Sequence, residues 1–169
     1  MSQIVMSWSE CSIEIGKTGT SDAMAASLAS IGTIKDKSTN MATAEGEKLE
    51  ARATGGKLVA FESGEPIVTL TTRIIEPDYA FLAGILGATN DTTAGELKIT
   101  SLLVKDEYSV KVTPLNIGAT GIKARKTHVE YSEGFSESDG HFADLKFTIL
   151  ACADGELYTK FKKAAPEAP

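Results

Sequence analysis

PIVTLTTRIIE, Pro66 to Glu76, carries the strongest local signal in the chain. Val68, Leu70, Thr72 and Ile74 alternate with Thr69, Thr71 and Arg73, so one face is apolar and the other polar. Alternation with period two and a high content of β-branched residues predict a half-buried strand. Upstream, KLEARATGG sets Leu49, Ala51 and Ala53 against Lys48, Glu50 and Arg52. KLVAFESGEP follows, with Leu58, Val59 and Phe61, so Gly55-Gly56 reads as a hairpin turn. Downstream, Pro77 suits the first position of a helix and Asp78 its positive end. DYAFLAGILG then places Tyr79, Leu82 and Leu86 on one side, flanked by Phe81 and Ile85, and Gly87 suits the stop. Such an apolar helix must pack on a sheet.

Strand signals continue to both ends. CSIEIG alternates Ile13 and Ile15 with Glu14, and ELKITSLLV and YSVKVTPL flank Lys105-Asp106-Glu107. GIKARKTHVEYSEGF and HFADLKFTILAC flank Ser138-Asp139-Gly140, and Asp154-Gly155 turns the chain into ELYTKF. A weaker helix over Ser21–Leu28 is the alternative to an extended arm there. Eight or nine short strands with one helix predict a mainly β domain, an antiparallel sandwich or half-barrel. The expected organisation is one domain over residues 1–169, with an N-terminal arm at 1–10, an extended loop at 35–47 and a flexible tail at 162–169.

The chain has 169 residues, 42 % of them hydrophobic, enough for one real core. A net charge of −6 disfavours nucleic acid held on a basic face. Cys11 and Cys152 are expected as reduced thiols of a cytoplasmic product, since Met1–Met6 lacks a secretory leader pattern; a disulfide between them is the alternative. No apolar run reaches the length of a membrane span.

Catalytic chemistry is sparse. Gly16-Lys17-Thr18 looks like part of a phosphate loop, but that loop needs a glycine where Cys11 stands. Ser12–Ile15 is a strand pattern instead of an anion-wrapping nest. His128 lies on a strand face between Lys126 and Glu130, and His141 follows a turn, where exposure alone explains it. Neither has zinc-ligand spacing. Glu133, Glu137 and Asp139 lack the spacing of a calcium loop. No catalytic, cofactor-binding or metal-binding residues are expected, and the chain is read as a non-enzyme.

The order of elements from Cys11 to Phe161 resembles the tail tube proteins of tailed bacteriophages and, more loosely, the tube protein of type VI secretion systems. The phrases that carry it are Gly32-Thr33-Ile34-Lys35-Asp36-Lys37-Ser38, then Glu45-Gly46-Glu47 and a strand ending in Gly55-Gly56. Ile74-Ile75-Glu76-Pro77 leading into the short helix adds to it. The resemblance implies a structural virion protein, made in the host bacterial cytoplasm and located in the virion tail. It further implies self-association into stacked hexameric rings, with tape measure and tail terminator proteins as further partners. DNA would pass through the channel without specific binding, and no membrane is involved. It also implies an inter-ring contact loop comprising Lys35, Asp36, Lys37, Ser38, Thr39, Asn40, Met41 and Glu45, disordered before stacking. The alternatives are a type VI or tail-like injection-particle tube, whose passenger is protein, and a monomeric β-sandwich binding module. Scattered aromatics, with Trp8 the one tryptophan, disfavour the module.

Overall fold

The computed structural model describes residues 4–168. Among them the chain is mainly β and antiparallel with one α-helix. Strands β1 (Cys11–Lys17), β2 (Ala29–Ser30), β3 (Asn40–Ala44), β6 (Ile67–Ile75), β9 (Tyr108–Pro114), β10 (Thr120–Ser136), β11 (Gly140–Ile149) and β12 (Thr159–Lys162) form one sheet. Its order is β2-β1-β9-β10-β11-β6-β3, with β12 added to β10. Two ribbons stand apart from it: β4 (Lys48–Arg52) with β5 (Leu58–Ser63), and β7 (Thr89–Asp91) with β8 (Glu96–Lys98).

The sheet curls because β10 changes partners along its 17 residues. Its first part pairs with β9 on one edge and β12 on the other, and from Thr127 onward it pairs with β11. A register shift between Ala124 and Thr127 marks the change; such a bulge bends a strand and raises its twist. The segment between β2 and β3 then laces the two margins together. Ile31 N–H donates to the Ile13 carbonyl at 3.1 Å, and Lys35 N–H to the Arg73 carbonyl at 2.9 Å. The result is the expected half-barrel, filled by Ile13, Ile15, Leu70, Ile74, Val112, Leu145 and Phe147. Val68, Leu70, Thr72 and Ile74 of β6 are buried, as the alternation predicted.

Helix α1 (Tyr79–Leu86) covers this core with Leu82, Ile85 and Leu86. It begins later than the sequence implied: Asp78 is extended and its carbonyl accepts from Leu82 N–H, so Pro77 precedes the helix instead of opening it. Gly87 ends it in the left-handed region at φ 63°.

Other expectations need correction. Of the two readings of Ser21–Leu28, the helix does not form: after a 3-10 turn at Thr20–Asp22 the segment is extended, and Ala25 N–H donates to Ser109 Oγ. ELKITSLLV yields only the three residues of β8, and Leu102 and Leu103 stay exposed. Residues 162 and 163, expected in a tail, belong to the body. Lys162 belongs to β12, and Lys163 exchanges backbone hydrogen bonds with Gly118 and Ala119. Of the N-terminal arm, Ser7 and Trp8 are latched: the Trp8 indole donates to the Thr120 carbonyl at 3.0 Å. Cys11 and Cys152 are free thiols, both pushed up in pKa chiefly by burial.

Candidate assembly surface

The segment expected as an open contact loop is built into the body. Lys35 pairs with Asp139 at 2.9 Å, Asp36 and Lys37 form an exposed turn with Lys37 at φ 60°, and the Ser38 hydroxyl donates to the Lys35 carbonyl. Thr39 and Thr72 share a hydroxyl hydrogen bond of 3.0 Å. Asn40–Ala44 is strand β3, paired with β6 from Asn40↔Thr71 to Ala44↔Ile67. Met41 is half-buried against the core, and Glu45 forms an exposed ion pair with Lys48. The loop reading for 40–44 is therefore corrected: small Asn, Ala and Thr side chains hide a strand whose backbone ladder, not its apolarity, holds it.

The salient feature lies just beyond. From Glu47 to Ile67 every residue is exposed. Strands β4 and β5 pair with each other, Leu49↔Glu62 and Glu50↔Phe61 among the partners, and with no other strand among the described residues. Ala53 N–H donates to the Lys57 carbonyl at 2.8 Å, and Gly55 and Gly56 turn the tip at φ 89° and 84°. At the neck, Gly64 N–H donates to the Glu47 carbonyl at 2.6 Å, and a Cβ on Gly46 would collide with the Gly64 carbonyl. Glycine is thus required there for the two chains to cross. Nine residues separate neck from tip, so the arm reaches about 30 Å at ~3.3 Å per residue. It carries Leu49 59 %, Val59 60 % and Phe61 48 % exposed, with Leu58 beside them. A two-stranded ribbon is marginal in water by itself, and this one leaves its apolar side chains unpacked.

A second feature is the part of the sheet formed by β10, β11, β6 and β3. Its two outer edges carry no backbone partner over much of their length, among the described residues: β3 pairs only with β6, and beyond Thr127 β10 pairs only with β11. One face of this four-stranded unit buries Leu70, Ile74, Val129, Leu145 and Phe147 under β1, β9 and α1. The other face is bare and polar. Cross-strand rows read Thr71, Lys146, Glu130 and Arg73, Asp144, Ser132. Its cations are each matched: Arg73 is bidentate to Asp144 at 2.7 and 2.9 Å, and Lys146 lies 3.3 Å from Glu130. Arg73 also touches Asp139 at 2.9 Å and lies 3.9 Å over the Phe142 ring. The Lys35 ammonium and then the Arg73 guanidinium hold the Asp139 carboxyl below its ordinary range. His128 is exposed on this face, where the alternation placed it.

At the Ile75 end of β6 sits a cleft of about 300 Å³ between α1 and the end of β10. His141 is less exposed than a turn position implied: its ring stacks on Phe135 at 4.6 Å and lies 3.4 Å from Glu133. Tyr131 donates to Glu133 at 2.7 Å, and burial followed by that carboxylate raises the phenol pKa. Gly16 and Lys17 lie within β1, paired to Ser109 and Tyr108, and Lys17 reaches Asp106 at 2.9 Å. Their backbone is committed to a ladder and forms no phosphate nest. No group of three metal-ligating side chains converges among the described residues. No protein-family model matches the chain, and no curated protein matches it.

Proposed function

We propose that the chain is a structural subunit of a tube, built as stacked rings around a conduit for DNA, in the manner of a phage tail tube. The observation that carries the reading is the four-stranded antiparallel unit bare at both edges. Strands β10 and β6 run one way, β11 and β3 the other. A neighbour generated by rotation about an axis along the strands keeps its orientation, so its β10 meets β3 antiparallel and the alternation continues. A head-to-tail contact of this kind closes into a ring when the rotation divides the circle. Closure removes the open edges, which otherwise invite uncontrolled strand addition.

Strands β1 and β9 and helix α1 pack on one face of that unit. In a closed ring the bulk must lie outside, which turns the bare polar face toward the channel. There Arg73 and Lys146 are each held by a carboxylate. Cations already paired release few counterions from phosphate, so the lining suits passage of DNA and not capture. Negative-stain electron microscopy at high protein concentration tests the reading. Annular particles with stain-filled centres are expected; particles that stay monomeric in the images and in sedimentation overturn it.

A further inference from the structure

The root of the arm and the cleft lie at opposite ends of strand β6. Strand β6 runs from Ile67, at the root of the arm, to Ile75, at the mouth of the cleft, a span of about 26 Å at ~3.3 Å per residue. The two are also complementary. The cleft is walled by Pro77, Tyr79, Leu97, Ile99 and Phe135, the last 78 % exposed. Carboxylates border it: Glu76 and Glu133 in the cleft and Glu137 on the adjoining depression. No Lys or Arg pairs with these three among the described residues. Glu76 sits at φ 46°, a conformation costly for a side-chain-bearing residue, and its Oε1 accepts from His141 N–H, which fixes the carboxylate at the rim. The distal half of the arm has the opposite character. Between Arg52 and Val59 its only charged residues are Arg52, which is paired with Glu50 at 3.0 Å, and Lys57, which has no acidic partner among the described residues. Leu58, Val59 and Phe61 are the apolar groups beside them.

We propose that the distal half of the β4–β5 arm of one copy docks in the Phe135 cleft of a second copy translated along the strand direction. Leu58, Val59 and Phe61 pack on Tyr79, Leu97 and Phe135, while Lys57 faces Glu76, Glu133 and Glu137. This contact is heterologous and open-ended, so repeated it stacks copies without limit. It rests on the tube reading for its setting, as the link between rings, but not for its chemistry.

Disulfide trapping tests it. In a Val59→Cys/Ser136→Cys double variant, mild oxidation is expected to give a ladder of covalent multimers, and neither single variant should do so. Lys57→Glu is expected to raise the protein concentration needed for the ladder by about tenfold. Adding Glu137→Lys to Lys57→Glu should restore it, and Phe135→Ser should suppress the ladder with the fold retained. No ladder in the double variant, an equal ladder in a single one, or no recovery on charge exchange overturns the proposal. So does a stronger ladder from a Met6→Cys/Ser136→Cys double variant than from the Val59→Cys/Ser136→Cys pair. Annular particles without ladders would count against this contact alone. Ladders without annular particles would count against the edge-paired ring alone.

Discussion

Excising the arm separates assembly from folding. In a variant with Lys48–Ser63 replaced by a four-residue Gly-Ser linker, the domain loses only residues that are already exposed. Folding stability should therefore stay within about 1 kcal/mol of the parent, a shift in Tm of no more than ~2–4 °C for a chain of this size. Association is another matter. Leu58, Val59 and Phe61 retain roughly half their surface in water. Burying the remainder is worth about 1 kcal/mol each, or ~3 kcal/mol per arm, which is about a hundredfold in an association constant. Excising Lys37–Ala44 should behave differently. It strips β3 from β6, unseats Met41 and leaves the Thr72 hydroxyl, 3 % exposed, without its Thr39 partner. That cost should exceed about 3 kcal/mol. Circular dichroism melts and sedimentation velocity on both variants make the comparison. A Tm drop near 10 °C for the arm variant would mean the arm packs on its own body, and unchanged sedimentation would mean it holds nothing together.

Truncating Leu82 to Ala, at 0 % exposure where α1 meets the core, should cost about 2–5 kcal/mol in urea unfolding; a loss under 1 kcal/mol would mean the helix is not seated there. The Asp139 carboxyl is depressed in the fold, so its contribution is present above the ordinary aspartate value of about 3.9 and is lost as pH falls through the folded value. Between pH 5 and 2 the urea midpoint of Asp139→Asn should accordingly fall less than that of the parent, and parallel profiles would sink that assignment. Band-shift assays at low salt should show no tight DNA complex for the parent. Glu130→Lys with Asp144→Lys, which removes the carboxylate of Lys146 and the bidentate partner of Arg73 and adds two cations, should create salt-sensitive binding; its absence would remove that face from the channel. Calorimetry with ATP and magnesium should be silent, since Lys17 is engaged with Asp106 in a strand; micromolar binding lost in Lys17→Ala would reinstate a phosphate site at Gly16-Lys17-Thr18.

Periodicity is informative where a strand has one wet and one dry face, as in Ile67–Ile75, and where Gly87 closes the helix. It says nothing of whether a dry side has anything to pack on. Leu49 and Ala51 alternate with charged neighbours as regularly as Val68 and Leu70 do with polar ones, yet they stand in water on a detached ribbon. Conversely, Asn40–Ala44 has almost no apolar signal because an edge strand held by its ladder and one methionine needs little. Sequence alone therefore reads 35–47 as one open loop, whereas Asn40–Ala44 is a strand and the detached ribbon is the element that follows. Gly46 and Gly64 are the available clue: two glycines bracketing the ribbon mark a close backbone crossing. The cleft draws Glu76, Leu97 and Phe135 from separate elements, and no local pattern joins such residues.

Hydrogen–deuterium exchange across a concentration series tests the edge-paired ring most directly. Backbone amides of Asn40–Ala44 and His128–Ser136 lie on strands with one unpartnered edge in the single chain. On assembly, both segments should slow together by at least about tenfold, the signature of new backbone hydrogen bonds joining the two edges. Assembly that leaves both segments exchanging as they do in dilute solution would contradict the account.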